Sequence, residues 1–423
     1  MPTPDSSSEN DHKRDRGAAL HALCLAIYRP HANIWFRNNL GRVIRRDLLP
    51  NKYAPLLDHL RQADSVELIF VSRLEGGLLA RLVDGLELWL WSRFMGLKGV
   101  RMAWTVSAAQ RAQVLFLMHY GNLTYENEAV ARTGAAVAKT LGRLPLRKVV
   151  HMTHYAYCVD TGAANLAALG PDLLVAESNL TAHSAFFRTH FSGVKTPFVC
   201  LPYTAASRFQ STRPQAQRSN KLVVTGSITY KMQDPAFCSF FGTQELQPMR
   251  RALFEVANSY TSEMDCLVSD LNATRALTRP RKIGQLVAVL RKMAGARVQA
   301  GYYKRDIVET YNSYTMFAVP EEVCGLPAIG FVEGMACGSA FVGVDGPMYR
   351  DLGMLPGVHF IAYDGSVDDL MAQVRHHQQH PERTSAIAAA GCALAHGVLG
   401  QQAVYGAFVG TLRKLAGMSD ARG

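Results

Sequence analysis

Long apolar runs are missing from this chain of 423 residues. No stretch stays apolar for the roughly 20 residues that a membrane-spanning helix needs. The nearest, LARLVDGLELWLWSRFMGLKGVR at 79–101, is broken by Arg81, Asp84, Glu87 and Arg93. The eight cysteines, at 24, 158, 200, 238, 266, 324, 337 and 392, make no C-x-x-C pair and mostly have apolar neighbours. Buried free thiols in a reducing compartment are expected, and with them a cytoplasmic location. There is no Walker lysine loop, no G-x-S-x-G elbow, no D-x-D pair and no cluster of metal ligands. Neither a bound metal nor a cofactor is therefore expected. Acidic residues are also short, 34 against 45 Lys and Arg, a formal net charge of +11. That charge would draw nucleic acid, an anionic membrane or phosphorylated substrates. No nucleic-acid-binding motif accompanies it and the basic residues are scattered, so nucleic acid is not an expected partner.

Apolar residues make up 48% and charged residues 19%, the proportions of a folded globular protein. The length suits two domains. Residues 1–17, MPTPDSSSENDHKRDRG, are polar and aperiodic and read as a disordered tail rather than a signal or transit segment. Short apolar runs alternate with helical patterns throughout, which predicts an α/β chain with parallel sheets. Strands are expected at 23–28, 66–71, 114–120, 148–152, 172–176 and 198–203, then at 221–226, 297–301, 316–319, 340–344 and 359–363. Between 204 and 220 the composition turns to TAASRFQSTRPQAQRSN, the best domain linker. The expected division is a first domain over 18–205, a linker over 206–220, a second domain over 221–398 and a closing helix within 399–423. In that helix Val404, Phe408, Leu412 and Leu415 share one face. The 79–101 segment reads first as a buried helix. Its Trp89, Trp91 and basic end also match helices that lie on anionic membranes, so a peripheral membrane contact is the second expectation.

The segment Tyr311–Gly338, YNSYTMFAVPEEVCGLPAIGFVEGMACG, carries the chemistry. A strand leads into a loop bearing Glu321, Glu322 and Gly325, then into a helix with Glu333, and a second strand follows at once. Such a βαβ unit puts a helix N-terminus over a crevice suited to phosphates. In the first half, KVVHMTHYAY places His151 and His154 at a strand end, where open α/β sheets bind ligands. In GSITYK, Ser227 and Lys231 follow the first strand of the second half.

Taken in order, DLLVAESNLTAHSAFF, VCLPYTAASRF, KLVVTGSITYK and the Tyr311–Val344 segment resemble the large retaining, nucleotide-sugar-dependent group of GT-B glycosyltransferases. The resemblance implies two Rossmann-like domains facing across a cleft, the closing helix crossing back to the first. It implies transfer of a sugar from a nucleotide sugar, without metal, to a glycan, lipid-linked or small-molecule acceptor. Glu333 would accept hydrogen bonds from the donor's ribose hydroxyls, a task suited to two carboxylate oxygens. Glu322, with Gly325, Leu326 and Pro327, would lie near the transferred sugar. Lys231 and Ser227 would meet the diphosphate, and His154 would face the reaction centre.

Two departures accompany the match. Ten residues separate Glu322 from Glu333 where the group has seven, so Gly325 holds the spacing position. Either the loop carries three extra residues, or the first carboxylate is absent and Gly325 allows close backbone approach. Ser227 also stands where the group has an arginine, so another base must neutralise the diphosphate, with Arg250, Arg251, Lys304 and Arg305 as candidates. A GT-B epimerase or phosphorylase, and a non-catalytic relative that binds nucleotide sugar or glycan, are the alternatives.

Overall fold

The computed structural model describes residues 22–32, 41, 44, 52–97, 99–124, 128–228, 232–270 and 305–418, with only the backbone of 128–133. The expected strand at 297–301 lies outside these residues, as do Lys231 and Lys304. In the first half, β1 (Leu23–Tyr28), β2 (Val66–Val71), β3 (Arg101–Ala103), β4 (Val114–Leu117), β5 (Arg147–His151), β6 (Leu173–Ala176) and β7 (Phe198–Cys200) form one sheet. All its pairings are parallel, in the order β3-β2-β1-β4-β5-β6-β7. Its central strands are covered on both faces, which is why they read as unbroken apolar runs rather than alternations.

The second half holds β8 (Ser219–Val224), β9 (Ser227–Ile228), β10 (Met264–Cys266), β11 (Ser269–Asp270), β12 (Tyr314–Ala318), β13 (Ala340–Val344) and β14 (Ile361–Tyr363). Five of these make a second parallel sheet in the order β10-β8-β12-β13-β14, and β9 pairs with β11 alone. In each sheet the chain reverses its direction of winding beside the first strand, between β1 and β4 and between β8 and β12. Ligand crevices form at such points, outside the carboxyl ends of the strands. Apart from the one at 297–301, the expected strands recur with shifts of a few residues at their ends; β3, β9, β10 and β11 had no counterpart among them.

Helices follow their capping chemistry. The residues at 177–191, whose sequence reads as one helix opening at Ser178 and Asn179, form two, Leu180–His183 and Ala185–His190, because Ser184 accepts a hydrogen bond from Phe187 N and starts a second helix, as Asn179 does for the first. By length and composition alone Pro381–Leu415 is apolar enough to cross a membrane. It is two helices, Pro381–His396 and Gln401–Leu415, separated at Gly397–Gly400. The last one buries Val404, Tyr405, Phe408, Val409 and Leu412. Phe408 packs on Phe116 of β4 with ring centroids 5.4 Å apart, and Tyr405 Oη and Thr204 Oγ1 are 2.6 Å apart, so this helix lies on the first sheet's half.

All eight cysteines are free. Burial is partial for most: only Cys324 and Cys337 are fully enclosed, the other six sitting at half-buried positions.

Candidate functional site

The strand ends of both halves converge on one place. Beyond β12, Glu322 N donates to Leu326 O at 3.0 Å and Gly325 N donates to Glu322 O at 2.9 Å. This is a hairpin with the three-residue loop Val323, Cys324, Gly325, closed by a glycine in the left-handed region at φ +88°. A Cβ at Gly325 would meet nothing within 4 Å, so the glycine supplies the positive φ and not close backbone approach. The loop equals in number the three residues by which the Glu322–Glu333 spacing exceeds seven. The hairpin tip is tied to the first half: Tyr155 Oη donates to Cys324 O at 2.8 Å and Ser178 Oγ to Gly325 O at 2.7 Å. Leu326 joins the apolar cluster of Tyr155, Phe186 and Phe237 and is 3% exposed, and Pro327 is buried beside it. Leu326 is thus a core side chain, not a lining one.

Glu322 itself is 8% exposed, and its Oε1 lies 3.0 Å from His154 Nδ1 of the opposite half. His154 stands just beyond β5 with φ +54°, an unfavourable conformation for a residue with a Cβ. The preceding glutamate plays a different part. Glu321 accepts from Tyr349 Oη at 2.6 Å and from Val344 N at 3.2 Å, and burial raises its pKa against those bonds. It anchors β13 and the helix after it.

At the other side of the second sheet's crevice, Gly226 and Ser227 follow β8. Arg250 donates from Nη1 to Ser227 O and from Nη2 to Pro320 O, each at 2.9 Å. A Cβ at Gly226 would stand 2.7 Å from the guanidinium carbon, so only glycine lets this cation settle between the ends of β8 and β12. Of the other candidate bases, Arg251 is engaged by Asp270 and Glu245, and Arg305 donates to Leu267 O. Ser227 is half-buried and pairs with Ser269 across β9 and β11.

The helix Gly330–Ala336 carries Glu333 in its first turn. Burial pushes the Glu333 carboxyl up to about 7, against a weaker opposing pull from Arg208. Among the described residues it makes no hydrogen bond or ion pair, so it is a carboxylate left to accept from something else.

Sequence reasoning missed a group on the first half. Glu177, directly after β6, is 1% exposed, and among the described residues neither oxygen has a hydrogen-bond partner. His151 Nε2 lies at 3.7 Å and Lys52 Nζ at 3.9 Å. Burial works to raise the Glu177 pKa, but those two neighbours outweigh it and hold it below the usual value. Lys52 also donates to Thr153 Oγ1 at 2.9 Å and to Tyr203 Oη. His151 is interior, its pKa pushed down to about 4 by burial, and its Nδ1 is 2.8 Å from Tyr53 Oη. The signal available was ESN directly after a strand; a charged residue at a strand's carboxyl end earns attention even without a motif.

Among the described residues, one group could hold a metal ion: His31, Asp84 and Glu87, whose ligand atoms lie within 4.8 Å of one another. Asp84 is already held by Arg29 Nε at 2.9 Å and Arg73 N at 2.8 Å, a bonding that suits an ion pair better than a cation ligand. Sequence spacing gave no hint of this group, because His31 comes from the end of β1 and the acids from a later helix.

No family profile matches the sequence, and no curated protein matches it. Solved structures do resemble it. HepE of Anabaena, solved with UDP-glucose, is 12% identical with a TM-score of 0.52, over 93% of this chain and 100% of that one. A glycosyltransferase of Rickettsia africae is 9% identical with a TM-score of 0.53, over 94% and 100%. The sucrose-phosphate synthase of Thermosynechococcus elongatus is 12% identical with a TM-score of 0.50, over 94% and 100%. The fold is that of GT-B glycosyltransferases: two Rossmann-like domains facing each other across a cleft.

Proposed function

We propose that this chain is a glycosyltransferase that moves a sugar from a nucleotide-sugar donor to a glycan, lipid-linked or small-molecule acceptor, with retention and without a metal ion. The second domain, 221–398, binds the donor and the first, 18–205, binds the acceptor. The enzyme is cytoplasmic and works at the surface of an anionic membrane. The observation that carries this reading is the meeting of His154 and Glu322 at 3.0 Å across the cleft, at the strand ends of a GT-B fold.

In this proposal Glu333 accepts the ribose hydroxyls, and its lack of a protein partner is what a ligand-binding carboxylate needs. As the bond between the anomeric carbon and the diphosphate breaks, the departing oxygen takes the electron pair and its charge grows. Arg250 and Lys231 offset that charge where a metal would otherwise serve, Arg250 standing in for the arginine absent at Ser227. Glu322 and His154 flank the transferred sugar. Ser227, Gly325, Leu326 and Pro327 contribute through backbone position, since Leu326 and Pro327 are buried.

A thermal-shift panel of nucleoside diphosphates and their sugars tests donor binding. A true donor at 100 times its dissociation constant adds about 2.7 kcal/mol to stability. Arg250→Ala and Glu333→Gln should each weaken that effect at least about tenfold, the loss of one charged hydrogen-bonding partner. If no nucleoside diphosphate or nucleotide sugar raises the melting temperature, the reading is lost. One observation favours a second reading, a non-catalytic binder: His154 and Glu322 already face one another. Donor binding without turnover, unchanged by His154→Ala, would decide for it.

A further inference from the structure

The helix Leu78–Phe94 buries Leu88 and Trp91 and yet leaves a second apolar face outside. Its two acids, Asp84 and Glu87, are buried at 0% and 4% exposure, while Leu78, Leu79, Leu82, Leu86 and Trp89 stand 41–75% exposed. Asp84 faces inward to Arg29 and Arg73, so charge stabilises the protein side of this helix and apolar surface is left outside. Trp104 extends that surface: a Cβ on Gly85 would come within 2.8 Å of its ring, and it is 40% exposed. A contiguous apolar face of this kind marks a surface built to be covered.

The outward face carries no acid. Its charge is Arg93, exposed with its guanidinium 5.8 Å from the Trp89 ring centroid. The whole chain carries +11. A second copy docked symmetrically would set arginine against arginine with no carboxylate between them. An anionic bilayer supplies both missing partners, acyl chains for leucine and tryptophan and phosphates for arginine.

We infer that this face of Leu78–Phe94, with Trp104, docks on the surface of an anionic lipid bilayer. The helix starts seven residues past β2, so its most exposed residues, Leu78 and Leu79, follow the carboxyl end of a strand as His154 and Glu177 do, on the side of the parallel sheet that carries the cleft. Docking there presents the cleft to acceptors carried by the same bilayer. That consequence, an acceptor linked to lipid, rests on the proposed function; the docking itself does not.

Flotation of the full chain with phosphatidylcholine vesicles, with and without one-third phosphatidylglycerol, tests this. Binding is expected on the anionic vesicles, weakened by high salt, and reduced at least about tenfold in L79S/L82S, since two leucine side chains lose their burial. Arg93→Glu should lower binding to anionic vesicles while leaving the melting temperature and the response to nucleoside diphosphates in place. Failure of the wild-type chain to float with anionic vesicles overturns the inference, as does equal binding by the double variant. A dimer in solution that dissociates in L79S/L82S, without vesicle binding, would overturn it in favour of a second copy. Vesicle binding with no donor response would keep the docking and remove the enzymatic reading; the reverse result would do the opposite.

Discussion

At the scale of the residue, Glu333 is the side chain whose chemistry the fold changes most usefully. Its carboxyl titrates near 7 instead of 4.5 because burial opposes its charge. A donor ribose would bind the ionised form, so binding must expel the proton that half of the molecules hold at neutral pH. Calorimetry in buffers of different ionisation enthalpy should therefore find release of about half a proton at pH 7, absent in Glu333→Gln. The same shift bears on stability. The folded state holds this proton more tightly than the unfolded state, so the contribution is complete below the ordinary carboxyl pKa and is lost as the pH rises through about 7. Glu333→Gln should gain on the wild type across that window and nowhere below it; a constant difference at all pH values would rule this out. That Glu333 lies on a helix after a strand and loop was legible in the sequence. That Glu177 lies against Lys52 was not, since 124 residues of chain lie between them and only the sheet brings them to 3.9 Å.

At the scale of the element, Leu78–Phe94 shows where periodicity misleads. Apolar residues on a helix usually mark its inward side; here Leu88 and Trp91 do face inward, but Asp84 joins them there to meet Arg29 from the end of β1, while Leu78, Leu79, Leu82 and Leu86 face outward. Burial opposes the charge on Asp84, but His31 and the Arg29 guanidinium together hold it well below the usual carboxylate range. Asp84→Asn would leave the guanidinium buried without a counter-charge and should cost about 3–5 kcal/mol, read from the midpoint of urea unfolding. Replacing Arg29 and Asp84 together by apolar residues should recover most of that loss. A single-variant cost below about 1 kcal/mol would mean that the pair is solvent-screened and the inward orientation has another cause. Helix existence was legible from composition; helix orientation was not, because a partner far away in sequence set it. The break at Ser184 was not read from the sequence, where 177–191 gives one helical pattern; the serine's capping role shows only in its bond from Phe187 N.

At the scale of the whole molecule, the last helix and the cleft contacts join the two halves. Phe408 is 2% exposed and lies on Phe116 of β4, while Tyr155, Ser178 and His154 reach the hairpin of the second half. Val159 N also donates to Asp234 Oδ2 at 2.9 Å, and His183 Nε2 sits 2.8 Å from Asp351 Oδ1. Phe408→Ala should cost about 3–5 kcal/mol by opening a cavity between helix and sheet. Because that helix is what ties the halves through the core, the variant's calorimetric transition should also split into two. A single sharp transition at lower temperature would show that the polar cleft contacts alone keep the halves unfolding together.

The sequence by itself determined the architecture: strands buried on both faces must be apolar throughout, helices between them must cover those faces, and parallel order follows from the alternation. It also singled out Glu322, Glu333 and His154 as candidates, from their places beyond strands and from the family resemblance. Tertiary structure alone decided which charges meet. Arg250 at Gly226, Lys52 at Glu177 and Arg29 at Asp84 are pairings over long chain separations, and the periodicity of a local segment carries no record of a partner that only folding brings near.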